Sequence, residues 1–365
     1  DEEQVYFKDM LCMRARGRDD ATPEKNRVST ILFDKNGNVY KGSLFEHMLL
    51  MHVTVACDVG DHGNMLLRGA DWNDALDMAP EKGESVAFTA AYAGNLREMA
   101  DFLENKGGEV SLLKELWTLT ERLHGICIKT DASVAGAASE KREALSEYCS
   151  TVSHCVSGEK VKVSASDLSE KLRDISESII SHIRQNEMLK EGDLSWINGY
   201  YDNEGKPAES LKEGRIMLTG AVFAIMSSAA GKEDVAGMIK TADKYLFSRE
   251  SGGYRLNIRY PDEGYYAHNM GRMFGFAYGS KENGAVFCHM DVMYAYALLE
   301  RGFRNEAVKV VAGLLRQSMD FEKSRMYPGI PEYFDMNGRG MYPYLTGAAS
   351  WLLLFLYRLG KDGRQ

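Results

Sequence analysis

Several motifs that mark common protein classes are missing from this 365-residue chain. The six cysteines are scattered and no two form a CxxC pair, which excludes zinc-ribbon and thioredoxin-like proteins. The chain also has no P-loop, no dinucleotide-binding glycine fingerprint and no HExxH zinc motif. Neither a signal-peptide pattern nor an uninterrupted run of about 20 apolar residues occurs. We therefore expect reduced thiols, a cytoplasmic location, no metal site and no membrane partner.

The chain has fewer basic than acidic residues. Lysine and arginine total 44 against 53 acidic residues, which gives a formal net charge of −9. Nonspecific nucleic-acid binding needs a basic surface, so nucleic acid is excluded as a partner. A neutral sugar suits this balance better than a polyanion does. The composition is otherwise that of an ordinary globular protein with a substantial core, since 44% of residues are hydrophobic and 27% charged.

Helical spacing of apolar residues fills most of the chain after a hairpin-like turn at Asn36-Gly37. Ser43 and Glu46 predict a capping box at the first helix. Alternating helices with short connections favour an all-α fold, an (α/α)6 toroid of antiparallel helix pairs, over a sandwich. The predicted helices span about 44–59, 84–105, 109–124, 131–155, 164–189, 211–230, 232–247, 284–301, 303–320 and 341–359.

The densest group of polar side chains lies between two predicted helices, in the stretch Gly-Ala-Asp-Trp-Asn-Asp-Ala-Leu-Asp at 69–77. Trp72 offers a flat face for a pyranose ring, and a carboxylic acid at Asp74 can protonate a glycosidic oxygen if apolar surroundings raise its pKa. Asp71 and Asn73 can bind hydroxyl groups. An Asx turn, in which Asp and Asn satisfy backbone groups while Trp packs, fits the same residues equally well. The local pattern leaves both interpretations open.

Two later segments add to this stretch. With Gly-Glu-Ser at 83–85, the first stretch resembles the general-acid loop of glycoside hydrolase family 94, the inverting phosphorylases of cellobiose, chitobiose and related sugars. Lys-Glu-Asn-Gly-Ala-Val-Phe-Cys-His at 281–289 and Tyr-Leu-Thr-Gly-Ala-Ala-Ser-Trp at 344–351 resemble the same family in the same order. The resemblance implies an (α/α)6 catalytic domain. Family members are longer, so we expect 1–365 to be a single, incomplete barrel domain that lacks an N-terminal β-sandwich and a C-terminal β domain.

The resemblance implies roles for the first two motifs. Asp74 would be the general acid, while Asp71 and Trp72 would shape the subsite for the donor sugar. Lys281 and Glu282 are candidates for contacts to sugar hydroxyls, with a solvated turn as the alternative. Three arginines, at 215, 272 and 339, are further candidates to face the pocket, and nothing in the sequence selects among them.

The remaining candidates concern phosphate and a second carboxylate. The resemblance makes His289, Thr346 and Gly347 phosphate ligands, and a helix start with a threonine hydroxyl binds anions well. A histidine at the edge of the core and an ordinary closely packed helix are the alternatives. Glu332 is a possible sugar ligand or base, because an inverting hydrolase needs a second carboxylate opposite Asp74.

The resemblance therefore implies an inverting phosphorylase, and we expect it to act on β-linked gluco-disaccharides or oligosaccharides. Asp74 would protonate the leaving oxygen and inorganic phosphate, the co-substrate, would attack to give an α-sugar 1-phosphate, with no cofactor. The alternatives are an inverting hydrolase in which Glu332 activates water and a noncatalytic carbohydrate-binding fragment. An open toroid exposes apolar helix faces, so we expect a homodimer or association with the remainder of a longer protein.

Overall fold

The computed structural model describes residues 4–5, 32–129, 133–326 and 329–362. Helices dominate this part of the chain, as the sequence predicts. They span Leu44–Cys57 (α1), Val86–Lys106 (α2), Lys114–Cys127 (α3), Val134–Val152 (α4), Ala165–Asn186 (α5), Leu218–Met226 (α6), Lys232–Tyr245 (α7), Glu263–Asn269 (α8), Cys288–Glu300 (α9), Arg304–Met319 (α10), Phe321–Ser324 (α11) and Gly347–Asp362 (α12), with a 3-10 turn at Arg272–Gly275.

Short strands lie between the helices, so the fold is predominantly helical rather than all-α, and the toroid stays a prediction. The strands span Gln4–Val5 (β1), Lys41–Gly42 (β2), Met65–Leu66 (β3), Glu84–Ser85 (β4), Glu109–Leu113 (β5), Lys160–Ser164 (β6), Met188–Glu191 (β7), Leu194–Ile197 (β8), Tyr200–Tyr201 (β9), Val286–Phe287 (β10), Tyr333–Phe334 (β11) and Gly340–Met341 (β12). The pairs β1–β2, β4–β9, β5–β6, β7–β8, β10–β11 and β11–β12 are antiparallel.

The chain divides into two compact units. The first comprises the described residues up to Met65 together with Tyr92–Ile179. Within it, α1 packs against α3 and α4, around leucines and valines that are fully buried. The predicted N-cap is confirmed, since Ser43 Oγ accepts a hydrogen bond from the backbone N–H of Glu46 at 3.1 Å. The turn at Asn36-Gly37 is confirmed as well, and Gly37 has a φ of +81° there.

The second unit comprises Leu66–Ala91 together with the described residues from Ile180 onward. Its central element is α9, which packs against α6, α10 and α12. Ten of the thirteen residues of α9 are buried, as expected for a helix that is covered on nearly every side. A helix in this position is held firmly, so residues at its start are well fixed. The three motifs of the sequence analysis all lie in this unit.

Several predicted helix starts are wrong, because strand pairing takes the residues before the helix. The helix predicted from 84 begins at Val86, since Glu84 and Ser85 pair with Tyr201 and Tyr200. The helix predicted from 109 begins at Lys114, because β5 pairs with β6. The starts predicted at 284 and 341 move as well, to the first residues of α9 and α12. Pairing with distant residues overrides local helix preference at 84, 109 and 284, whereas after Met341 the chain first turns at Tyr342, whose φ is +62°, before α12 begins.

One predicted helix is also too long. The span 211–230 contains only α6, because the residues before it form a turn in which Gly214 has a φ of +65° and donates its N–H to Leu211. No helix among the residues described here is long and apolar enough to cross a membrane. The cysteines described, Cys57, Cys127, Cys149, Cys155 and Cys288, are free thiols.

Candidate active site

Two successive Asx turns shape the loop at 69–77. Asp71 Oδ1 accepts a hydrogen bond from the backbone N–H of Asn73 at 2.9 Å, and Asn73 Oδ1 accepts one from Ala75 at 3.1 Å. The other carboxylate oxygen of Asp71 accepts from Ser85 Oγ at 2.7 Å. The same Ser85 oxygen accepts from the N–H of Phe88 at 2.9 Å and so caps the start of α2. The loop is thereby tied to the helix that follows it.

Asp71 therefore supports the loop from within. Burial raises the pKa of its carboxyl, while the hydrogen bonds from Ser85 and Asn73 act in the opposite direction. Both carboxylate oxygens accept a hydrogen bond from the protein, and the contact to sugar that the sequence suggested for Asp71 stays a prediction. The Asx-turn interpretation describes Asp71 and Asn73, whereas it leaves Trp72 and Asp74 available for other contacts.

The side chains of Asp74 and Trp72 differ in their exposure and in their neighbours. The Asp74 side chain is 80% exposed, and its Oδ2 lies 3.4 Å from Arg272 Nη2, so the apolar surroundings expected around this carboxyl are not found among the described residues. The Trp72 ring is half-buried and meets two aromatic rings edge-on, Phe287 at 5.6 Å and His289 at 5.2 Å between centroids. The indole thus joins the first motif to the second, across more than two hundred positions of sequence.

The start of the second motif lies close to the same loop. Glu282 is half-buried, and its Oε2 has no hydrogen-bond partner among the residues that the structure describes. Burial raises the pKa of Glu282, the charge of Asp74 adds to this rise, and Lys281 and Arg272 oppose it. Lys281 Nζ lies over the Phe276 ring, 4.7 Å from its centroid. A half-buried, unpaired carboxyl oxygen does not fit a solvated turn, whereas it does fit a ligand contact.

The end of the second motif meets the third. His289 is the second residue of α9, and Gly347 is the first residue of α12. A Cβ built on Gly347 would lie 2.4 Å from His289 Cε1 and 2.6 Å from its Nδ1, so the imidazole rests directly on the glycine. Thr346 precedes this helix start, and its Oγ1 accepts a hydrogen bond from the N–H of Ala348 at 3.3 Å.

This meeting point has the chemistry of an anion site. The first N–H groups of a sixteen-residue helix carry a partial positive charge, and a hydroxyl and an imidazole lie beside them. Burial lowers the pKa of His289 and so favours the neutral ring, of which one nitrogen can donate to an oxyanion. Within the described chain neither ring nitrogen has a hydrogen-bond partner, which argues against a histidine tied to a carbonyl.

Glu332 lies beside the start of α9. Its backbone carbonyl accepts a hydrogen bond from Cys288 at 2.9 Å, and its N–H donates to Met341 at 3.2 Å. The side chain is half-buried. The strands β10, β11 and β12 thus bring Glu332 next to His289 in the fold, and its carboxylate forms no hydrogen bond or ion pair with the described residues.

The sequence did not select the arginine that reaches this site. Arg215 binds the Ala208 carbonyl at 2.9 Å and pairs with Glu213, and Arg339 is exposed on a turn after β11. Only Arg272, among these three, touches the loop that carries Asp74. The sequence spacing gives no signal for this contact, because Arg272 and the loop at 69–77 are far apart along the chain and come together only when it folds.

Comparison with known proteins agrees with this geometry. Residues 18–127 and 148–359 match the catalytic domain of the glycosyl hydrolase 94 superfamily. The chain is 25% identical to solabiose phosphorylase of Paenibacillus borealis over 323 residues. This alignment covers 85% of this chain and 34% of that protein. It is also similar to cellobionic acid phosphorylase of Neurospora crassa (25% over 201 residues; 51% and 24% covered) and to 3-O-beta-D-glucopyranosyl-beta-D-glucuronide phosphorylase of Paenibacillus borealis (21% over 330 residues; 87% and 34% covered). The chain spans at most about a third of the length of these relatives.

Proposed function

Because the chain belongs to the glycosyl hydrolase 94 superfamily, we propose that it is an inverting glycoside phosphorylase, an enzyme that transfers a glycosyl group to inorganic phosphate. The observation that carries this proposal is the meeting of three distant motifs. Trp72 contacts His289, and His289 rests on Gly347 at the start of α12. These contacts support an interpretation in which a platform for a sugar ring lies beside a site for an anion.

The proposed reaction needs one proton transfer and one displacement. Asp74 gives its proton to the glycosidic oxygen as the bond from that oxygen to the anomeric carbon breaks. An oxygen of phosphate, held by His289, Thr346 and Gly347, attacks the anomeric carbon from the opposite face. Phosphate is already an anionic nucleophile at neutral pH, so the protein supplies no general base. The products are an α-sugar 1-phosphate and the released sugar.

We propose a β-linked disaccharide or oligosaccharide of glucose as the substrate. The names of the relatives describe phosphorylases of solabiose, of cellobionic acid and of a β-glucopyranosyl glucuronide, and the last of these names supports a glucosyl donor. Trp72 would carry the donor ring, and Lys281 and Glu282 would contact its hydroxyl groups. The (α/α)6 toroid and the single catalytic domain at 1–365 belong to the same proposal.

The test is release of sugar 1-phosphate from a panel of β-linked disaccharides, with and without inorganic phosphate. We expect phosphate-dependent release that is lost in Asp74→Asn and retained in Asp193→Asn, a matched change at an exposed aspartate that pairs with Lys240. Free sugar released without phosphate would favour the hydrolase, and Glu332→Gln would then abolish it. Sugar binding without turnover would favour a noncatalytic fragment.

A further inference from the structure

The loop that carries Asp74 is bound along one side by the segment Met270–Met273. The N–H of Met78 donates to the Met270 carbonyl at 3.0 Å, and the N–H of Met273 donates to the Ala75 carbonyl at 3.1 Å. Between these two bonds the backbones touch, because a Cβ on Gly271 would lie 2.0 Å from the Ala75 oxygen. Residue 272 is therefore held at a fixed place beside the loop.

The side chain at this place bridges two carboxylates. The backbone N–H of Arg272 donates to Asp77 Oδ1 at 3.0 Å, and its Nη1 pairs with Asp77 Oδ2. Although burial acts to raise the pKa of Asp77, the backbone and side-chain hydrogen bonds from Arg272 lower it overall. The second nitrogen of the guanidinium, Nη2, lies 3.4 Å from Asp74 Oδ2. Asp77 is thus the anchor of the arginine, and Asp74 is the group that the arginine reaches.

We propose that Arg272 is a positioning residue for the general acid, an inference that rests on the phosphorylase function proposed above. Asp74 is 80% exposed, and its carboxylate has no other ion pair or hydrogen bond among the residues described. An exposed aspartate on a loop has several rotamers open to it, and only some of them aim the proton at the glycosidic oxygen. Arg272, fixed through Asp77, selects the rotamer that faces it.

Arg272 also acts on the charge that develops at Asp74. When the glycosidic bond breaks, the proton leaves the Asp74 carboxyl for the departing oxygen, and the carboxyl becomes a carboxylate. A guanidinium already in place beside it stabilises this negative charge without having to move. A substrate whose leaving group needs no proton does not use this arrangement. With a β-glycosyl fluoride, the carbon–fluorine bond breaks, fluoride takes the electron pair, and phosphate forms the new bond.

The experiment compares the disaccharide with the β-glycosyl fluoride of the same donor sugar, each in the presence of phosphate. We expect Arg272→Gln to lower kcat on the disaccharide by about 10- to 100-fold, because displacement of a reacting group by about 1 Å has this cost. The KM for phosphate and the rate with the fluoride should stay near those of the wild type. Asp77→Asn should reproduce the pattern, and Arg272→Lys should recover part of the loss. Arg316→Gln, at an exposed arginine of α10, is the matched control.

The outcomes separate this inference from the proposed function. Equal losses on the disaccharide and the fluoride, or no loss on either, would overturn the positioning role while the phosphorylase stands. A wild-type chain that releases no sugar 1-phosphate from any donor would overturn both. If Arg272→Gln does not fold, the variants Asp77→Asn and Arg272→Lys are compared on the disaccharide and the fluoride in the same way. If the losses in kcat from changes at Asp77 and at Arg272 add up in the double variant, the two residues do not act together and the positioning role is overturned.

Discussion

The contact between Gly347 and His289 predicts the effect of a single methyl group. Gly347 begins α12, and its φ lies outside the left-handed region, so alanine meets no backbone strain there. The added Cβ would lie 2.4 Å from His289 Cε1 and 2.8 Å from its Nε2. Gly347→Ala therefore tests the packing of the imidazole on the helix start directly.

The size of the clash sets the expected loss. Non-bonded carbon atoms approach to about 3.5 Å, so the imidazole or the helix start must move by roughly 1 Å. A shift of about 1 Å in a site costs on the order of 100-fold in rate or affinity. Overpacking of this kind also costs about 1–3 kcal/mol of folding free energy. We expect a KM for phosphate raised by one to two orders of magnitude, with the KM for the sugar less affected.

The assay measures initial rates against phosphate concentration and the free energy of unfolding in urea. Gly360→Ala is the matched control, because a Cβ on Gly360 of the same helix meets no described atom within 4 Å. In a helix, alanine is favoured over glycine by about 0.5–1 kcal/mol, so this control should be neutral or stabilising. In a His289→Ala background the clash is gone, and Gly347→Ala should then cost little stability.

Two results would refute the reasoning. An unchanged KM for phosphate in Gly347→Ala would show that the imidazole and the helix start do not share a ligand. A stability loss as large in the His289→Ala background as in the wild type would show that the methyl group meets something other than the imidazole.

Three further predictions concern buried polar groups. Burial raises the pKa of Glu209 well above the ordinary 4.5, so the folded chain holds a proton that the unfolded chain loses above that pH, and stability falls as pH rises through this window. Glu209→Gln should raise Tm more at pH 8 than at pH 5, and an equal gain at both would contradict this. Ser85→Ala removes the hydroxyl donor to Asp71 Oδ2 and should cost about 1–3 kcal/mol in urea unfolding, against little change for Ser150→Ala on exposed helix surface. Asn283 lies within the second motif, is buried, and donates to the Glu263 carboxylate of α8 at 3.1 Å, so Asn283→Ala should lower Tm by several degrees and weaken sugar binding at Lys281 and Glu282.

Local sequence signals were sufficient for some features. Ser43 with Glu46 marked the start of α1, and Asn36-Gly37 marked a tight turn, because capping and turn chemistry depend on residues only a few positions apart. The polar residues at 69–77 were expected on a loop, since Asp and Asn compete for backbone hydrogen bonds inside helices. The alternation of lysine and valine in β6 is a strand signal, but the sequence analysis predicted no strand before the helix at 164.

By itself, the sequence determined the helical character of the chain, the loop at 69–77 and the three motifs. Only the tertiary structure decided that Asp71 supports the loop while Asp74 is exposed, although the two residues lie three positions apart. It also decided that Arg272, rather than another arginine, reaches that loop from 195 positions beyond Asp77. The physical reason is that helix, cap and turn preferences act over a few residues, whereas such contacts depend on how distant segments pack and hydrogen-bond to each other.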